Sequence, residues 1–371
     1  MRRPWLIRVL LGAAVCLAVA LPASAGGKHQ GDGSHGPTPR LDHIFLIMLE
    51  NHSQSSVIGN ANAPFINSLA QQYAMASNYF GVTHPSEPNY VATISGSNWF
   101  VNNDNPANRF DHTNLVDQLE SNHKTWGAYM ESMPSTGYLG DYAPSLANPL
   151  YASKHNPFVL FDDIRNDPSR LAHIKPYTAL ASDLQHEWST PDFVWITPNQ
   201  CHDMHGGVYA QIAPDGSDGT PCPYGSTKDD PNDAALKQKA DTFVKGAVTL
   251  IMLSGAWRDG RSAIFIVTDE NDYTGNGETG GWESADGCCD SPVLIAGDPS
   301  VSASWPGGTY GGGLIPAVIV TNHGKTGGYT SSVDYNHYSL LATIEEVWNL
   351  GYLGNASDRA QVMPMDEFLT H

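Results

Sequence analysis

Positive charge is scarce in this chain: 19 Lys and Arg face 38 Asp and Glu across 371 residues, for a formal net charge of −19. So acidic a protein repels the phosphates of nucleic acid, which excludes nucleic acid as a bound partner. An anionic substrate meets the same repulsion, so a site for one needs a metal or histidines to reverse the sign locally. Fifteen histidines leave room for that. Cysteine is sparse as well, five in all, and no apolar run of membrane-spanning length follows residue 21. Internal repeats are absent.

What is present begins with an export signal. Arg2, Arg3 and Arg8 precede an apolar run from Val9 to Leu21, and Ala23-Ser24-Ala25 supplies the small residues of a cleavage site. Arg2-Arg3-Pro4-Trp5-Leu6 loosely fits a twin-arginine signal, and ordinary secretion fits equally well. Val15 argues against a lipoprotein anchor at Cys16. The expectation is a secreted or extracytoplasmic protein with no transmembrane anchor after cleavage of residues 1–25. Cleavage removes three of the 19 basic residues and none of the 38 acidic ones, moving the charge from −19 to −22. The four cysteines left, Cys201, Cys222, Cys288 and Cys289, enter an oxidising compartment, where disulfides are expected over metal ligation. A Cys201–Cys222 loop closure would leave the adjacent pair bridged, with a crossed pairing as the alternative.

Residues 26–40, rich in Gly, His and Pro, read as a flexible leader. From 41 to 371 no linker interrupts the chain, so one catalytic domain is expected. His43–Leu49 is a continuous apolar run, the kind of strand buried on both faces of a parallel sheet, and it ends in Glu50-Asn51. Phe193-Val194-Trp195-Ile196 leads to Asp203 and His205, and Ala263–Val267 leads to Asp269-Glu270-Asn271-Asp272. Helical patterns lie between, at Pro64–Phe80, Leu115–Ser121, Asp233–Trp257 and Tyr338–Leu350. Strands alternating with helices predict an α/β fold, a doubly wound and mostly parallel sheet with helices on both faces. Ligands in such folds sit beyond the carboxyl ends of the strands, where the acidic clusters fall. The stretches Gly206–Asn232 and Thr274–Gly287 read as long loops.

Glu50, Asp203, Asp269 and Glu270 offer hard oxygen ligands that suit Mg, Mn or Ca, while nearby histidine brings Zn or Fe within range. Taken singly, each cluster reads as well as a helix cap or a solvated loop; three of them off the strands of one sheet read as a site. Thr83-His84-Pro85-Ser86-Glu87-Pro88-Asn89-Tyr90 sets one serine between two prolines, just before a helical run that starts at Pro88-Asn89 and ends at Gly96. The free N–H groups of a first helical turn bind anions, so Ser86 would stand at a positive end.

These segments resemble the phosphoesterase family that holds bacterial secreted acid phosphatases and phospholipases C, within the alkaline phosphatase superfamily. The resemblance rests on Glu50-Asn51-His52-Ser53, Asn62–Ala70, Thr83–Tyr90, Tyr129–Pro134, Lys154-His155-Asn156-Pro157-Phe158, Pro198-Asn199, Asp203-Met204-His205, Thr268-Asp269-Glu270 and His337–Leu341, in family order from Asp42 to Leu353. It implies Ser86 as the nucleophile and a divalent metal held by Glu50, Asn51, Ser86, Asp269 and Glu270. It also implies that Asp203, His205 and His337 hold a second metal, bind phosphate or protonate the leaving group, so that one or two ions per chain are expected. His84, His155 and His202 are further candidates for the phosphate oxygens, each balanced against a structural role. The chain departs from the family pattern at His202, at Gly206 and in lacking a Trp between Thr268 and Asp269, which leaves Asn271 or Asp272 as alternative ligands.

The activity implied is hydrolysis of phosphate monoesters through a phosphoserine. Phospholipase C-type cleavage of phospholipid head groups is the alternative; the chain is too short for the extra C-terminal domains of the larger phospholipases. A non-catalytic secreted binding protein would show loss of the serine or the carboxylates, and all are present. Nothing in the sequence indicates an oligomeric state.

Overall fold

Alternation along one strand sorts the interior into two cores. His43–Leu49 forms strand β1, and Ile44, Leu46 and Met48 join one apolar cluster while Phe45, Ile47 and Leu49 join another. Successive side chains of a strand point to opposite faces, so a wholly apolar strand must be covered on both. The structure, a computed structural model, describes residues 40–207, 222–225, 230–272, 285–301 and 303–370. The expected signal, the leader up to residue 39 and parts of both long loops lie outside the described residues.

Seven more strands join β1: β2 (Ala74–Phe80), β3 (Trp126–Met130), β4 (Ile174–Pro176), β5 (Phe193–Thr197), β6 (Ser262–Thr268), β7 (Ala317–Thr321) and β8 (Tyr329–Asn336). They form one eight-stranded sheet in the order β8-β2-β7-β6-β1-β5-β3-β4. All pairings are parallel except those of β7, which runs antiparallel to β2 and β6. Helices α2 (Ser86–Ser95), α3 (Leu115–Ser121) and α5 (His337–Trp348) place Tyr90, Leu119 and Leu341 in the first core. Helices α1 (Pro64–Gln72) and α4 (Pro231–Leu253) place Leu69 and Val244 in the second. The expected α/β, doubly wound sheet with helices on both faces is therefore what forms.

Three boundaries differ from the sequence reading. The helix expected over Pro64–Phe80 stops at Gln72, and Ala74–Phe80 becomes β2 because it pairs with β7 on one side and β8 on the other. The helix expected to run to Trp257 ends at Leu253; Ser254 adopts an extended backbone, and its hydroxyl caps a separate turn at Gly255–Arg258. The helix expected from Pro88 starts at Ser86, two residues earlier. The sequence reading does not mark strands β3, β4, β7 and β8, although Ala317–Thr321 is an apolar, β-branched run. Cys201–Cys222 and Cys288–Cys289 are the bridged pairs. No helix among the described residues is long and apolar enough to cross a membrane.

What matters for the site is that β6, β1 and β5 are adjacent and parallel. Leu49 lies opposite Thr268 and Ile47 opposite Ile196, so the three carboxyl ends share one edge. Backbone bonds then tie the departing loops together: Glu50 N–H donates to the Asp203 carbonyl at 2.7 Å, and Asp269 N–H to the Leu49 carbonyl at 3.0 Å.

Helix α2 ends on Gly96 in the left-handed conformation (φ 71°), with its N–H donating to the Ala92 carbonyl. A Cβ at Gly96 would fall 2.1 Å from the Leu353 carbonyl oxygen. Left-handed strain and a backbone clash therefore add, and Gly96→Ala is expected to destabilise the protein by about 2 kcal/mol or more in urea unfolding. An unchanged midpoint would show that the Gly96–Leu353 contact does not hold the helix end.

Candidate active site

The serine hydroxyl at the start of α2 has more acceptors than protons. Ser86 Oγ lies 3.1 Å from Glu50 Oε2, 3.2 Å from Asn51 Oδ1 and 3.0 Å from Glu270 Oε1. One O–H can satisfy one of the three. The geometry is enforced from several sides. Asn51 takes a left-handed backbone (φ 41°), and its N–H donates to Asp269 Oδ1 at 3.0 Å. Asn89 closes the loop ahead of the serine, its Oδ1 accepting from Val82 and Thr83 N–H at 2.8 and 3.1 Å. Tyr90, one helical turn beyond Ser86, donates its hydroxyl to Glu50 Oε1. Glu270 thus meets the serine directly, and Asp269 is held beside it through the Asn51 N–H.

Four carboxylates share this buried edge, and all are pushed in the same direction. Burial raises Glu50, Asp203, Asp269 and Glu270 well above the ordinary carboxylate range; next in effect, the Asp269 charge raises Glu50 further and the Glu270 charge raises Asp269. One buried ammonium opposes them. Against the cost of burial, Asp104 and then Glu50 hold Lys154 above its usual range. Lys154 Nζ lies 2.8 Å from Asp104 Oδ2, while Asp104 Oδ1 accepts from the Glu87 N–H in the first turn of α2.

The histidines expected near the phosphate divide into three groups. His155 stacks on Tyr90 at 5.2 Å and bridges two carboxylates, with Nε2 3.2 Å from Glu50 Oε1 and Nδ1 3.6 Å from Asp203 Oδ2. His205 lies 5.9 Å from His155, ring to ring, and His84 Nδ1 contacts Glu270 Oε2. Burial pushes His84 down to about 3 and, with Lys154 next in effect, His205 down to about 4, so both rings are neutral near pH 7. His337 reaches the site from behind: its Nε2 meets the Asp269 backbone carbonyl at 2.6 Å and its Nδ1 meets the Tyr79 hydroxyl at 3.1 Å. Both ring nitrogens are engaged, one of them by the backbone of Asp269. His202 is not gathered with the others. Its Nδ1 lies 2.8 Å from Glu131 Oε1 and its ring packs on Phe243.

Sequence reasoning gave no role to Tyr90, Asn89, Asp104 or Lys154. Tyr90 and Asn89 had a usable signal, because residues three and four beyond Ser86 share its face of the helix. Asp104 and Lys154 had none: they meet only through the tertiary fold.

A hard divalent cation fits this donor set. No three His, Cys, Asp or Glu side chains among the described residues are already gathered around a point a metal could occupy. The convergent oxygens come instead from a mixed set: the Glu50 and Glu270 carboxylates, the Asn51 amide and the Ser86 hydroxyl. Three acceptor oxygens around one proton, backed by carboxylates that burial drives to retain protons, call for positive charge.

The family model described as the Phosphoesterase family matches residues 60–215. A phosphate-repressible acid phosphatase of Penicillium chrysogenum is 28% identical over 332 residues, covering 88% of this chain and 63% of its own. The phosphatidylinositol-3-phosphatase of Mycobacterium tuberculosis is 28% identical over 345 residues, covering 92% and 89%. This chain thus spans under two thirds of the length of the Penicillium relative and of a probable acid phosphatase from Kluyveromyces lactis, of which it covers 61%. Among solved structures, a Bacteroides thetaiotaomicron protein described as a sulfatase candidate superposes with a TM-score of 0.51 at 11% identity, covering 90% of this chain and 75% of its own; it shares the fold. The resemblance to the phosphoesterase family is borne out.

Raised carboxylates make stability depend on pH. The unfolded chain loses its carboxyl protons near the ordinary carboxylate range, whereas burial in the metal-free native site holds protons on these groups to higher pH. The native state then binds more protons, so stability falls as pH rises, by about 1.4 kcal/mol per pH unit for each proton retained. Chelator-treated protein is expected to lose melting temperature, relative to cation-loaded protein, as pH rises above the ordinary carboxylate range in calorimetry, and a divalent cation is expected to remove that added slope. The same slope with and without cation would refute a shared carboxylate–cation site.

Proposed function

We propose that this chain, which carries the phosphoesterase-family pattern, is a secreted, metal-dependent hydrolase of phosphate monoesters that works through a phosphoserine at Ser86. The observation that carries the reading is the Ser86 hydroxyl at the N terminus of α2, ringed by oxygens of Glu50, Asn51 and Glu270. Residues 41–371 form the catalytic domain in this reading, and residues 1–25 are the export signal.

A divalent cation held by Glu50, Asn51, Asp269, Glu270 and the serine oxygen would lower the pKa of the hydroxyl and neutralise phosphate charge. The residues do the rest. The first turn of α2 and the Lys154 ammonium supply fixed positive character beside the serine. Ser86 passes its proton to a neighbouring carboxylate and its Oγ attacks phosphorus, while the ester oxygen departs with the electron pair of the broken P–O bond. His205 Nδ1 faces the Gly206 carbonyl at 3.0 Å, which makes Nε2 the atom that exchanges protons. A bound phosphate dianion raises the His205 pKa, so the ring can protonate the leaving oxygen. In the second half, His205 takes a proton from the water that attacks phosphoserine, and Ser86 is restored as inorganic phosphate leaves. His337 and Tyr90 position Asp269 and Glu50.

Ser86→Ala is expected to lower kcat/KM for p-nitrophenyl phosphate by about a thousandfold or more. Acid quenching of native enzyme with labelled substrate should trap phosphate on Ser86. Native turnover in Ser86→Ala would falsify the mechanism, and cleavage of phosphodiesters alone would overturn the monoester assignment. His205→Gln is expected to lower kcat/KM for alkyl phosphates by about a hundredfold while sparing kcat/KM for p-nitrophenyl phosphate; kcat/KM reports only the phosphorylation half, and the p-nitrophenyl leaving group needs no proton. Equal losses on both substrates would remove His205 from the acid role.

A further inference from the structure

A cleft of about 550 Å³ opens directly beside the nucleophile loop, lined at its inner end by Thr83, His84 and Pro85. It does not reach Ser86 itself, but His84 connects the two. One side of its ring lines the cleft, and its Nδ1 contacts the Glu270 carboxylate that lies 3.0 Å from Ser86 Oγ. His84 is thus shared between the cleft lining and the carboxylate that meets the serine hydroxyl.

The cleft is built for something uncharged. Its rim carries Phe100, 97% exposed, and Val293, 76% exposed, with Leu294 and Val301 alongside. Asp290 is the one carboxylate among its lining residues, none of which is Lys or Arg, and a carboxylate repels phosphate. The phosphoryl end is thereby kept out of the cleft and the alcohol end is left to occupy it.

The backbone around Phe100 is held in an unfavourable conformation. Trp99 and Phe100 both adopt left-handed φ, 49° and 61°, where bulky L-residues are strained. Trp99 is fixed by an indole N–H donated to Ser95 Oγ at 2.9 Å and by stacking on His112 at 3.5 Å. The anchored turn therefore keeps Phe100 in solvent at the cleft mouth, where a relaxed loop would fold it away. Strain that persists to expose an aromatic ring marks a ligand clamp. The facing wall is equally set. Val293–Leu294 pairs with Gly308–Thr309, and behind this ribbon Trp305 meets Tyr310 edge-on at 5.1 Å, with Tyr310 5.9 Å from the His84 ring.

We propose that this cleft is a leaving-group subsite, with Phe100 and Val293 as specificity-determining residues, and that the substrates of choice are phosphate monoesters of alcohols carrying an extended apolar chain. The proposal rests on the phosphomonoesterase reading of Ser86. Its test is a series of n-alkyl phosphates from methyl to octyl, kept below their micelle concentrations, with glycerol 3-phosphate as the polar comparison. Each methylene buried in the cleft is expected to raise kcat/KM about three- to fourfold until the chain reaches the rim. Phe100→Ser and Val293→Ser should each flatten the upper part of the series, and Phe100→Leu should preserve it. A flat series in the native enzyme, a slope that survives both serine variants, or glycerol 3-phosphate matching the longer alkyl esters overturns the subsite. Failure to turn over any monoester, methyl and p-nitrophenyl phosphate included, overturns the phosphomonoesterase reading and this inference with it; the first three outcomes leave that reading standing.

Discussion

Burial of four carboxylates at the carboxyl edge of three adjacent parallel strands is the constraint on which the rest of this protein turns. Glu50, Asp203, Asp269 and Glu270 are at most 3% exposed, and burial raises every one of their pKa values. Like charges so placed repel one another and resist desolvation, so the fold must supply donors, protons or a cation. The donors it supplies are specific. Tyr90 serves Glu50, the Asn51 N–H serves Asp269, and the His205 N–H serves Asp203 at 2.7 Å. What they leave unsatisfied is concentrated at Ser86, and this gives a serine hydroxyl the surroundings of a nucleophile.

Around that acidic edge the scaffold keeps its pieces in register by close backbone approach. Gly81 and Gly312 sit back to back beneath the Asp269 carbonyl: a Cβ on Gly81 would come within 2.8 Å of both Asp269 O and Gly312 Cα. His337 holds the same carbonyl from the other side, and its helix is capped by Asn336, whose side-chain amide also donates to the carbonyls of Cys288 and Cys289. One main-chain oxygen is thus the meeting point of β2, the β6 loop, the bridged cysteine pair and α5. The position of Asp269 is a property of the packing as much as of its own strand.

The central strands were legible because the signal was local. Ile44–Leu49 and Ala263–Val267 are apolar at every position, a pattern that suits a short strand covered on both faces, and each leads to acidic residues. β2 was not legible: Ala74–Phe80 offers Ala, Met, Ser and Asn, residues that a helix accepts, and it became a strand because β7 and β8 flank it. Of the candidate site residues, those joined to a strand end by one or two positions were readable from the chain. The histidines were not separable in this way. His155, His202, His205 and His337 look alike as sequence, and only their partners distinguish a ring between two carboxylates from one paired with Glu131 or one locked behind Asp269.

The sequence by itself determined the α/β class, the acidic strand ends, the serine at a helix start and the resemblance to the phosphoesterase family, because each is written in short windows of residues. Tertiary structure alone decided which histidines meet the carboxylates around the serine, that Lys154 and Asp104 stand at its helix, and that an apolar-rimmed cleft lies beside it. Those features join residues dozens to hundreds of positions apart, as with the 50 residues between Asp104 and Lys154. No local pattern encodes such a meeting; it exists only once the sheet has set the order of its strands.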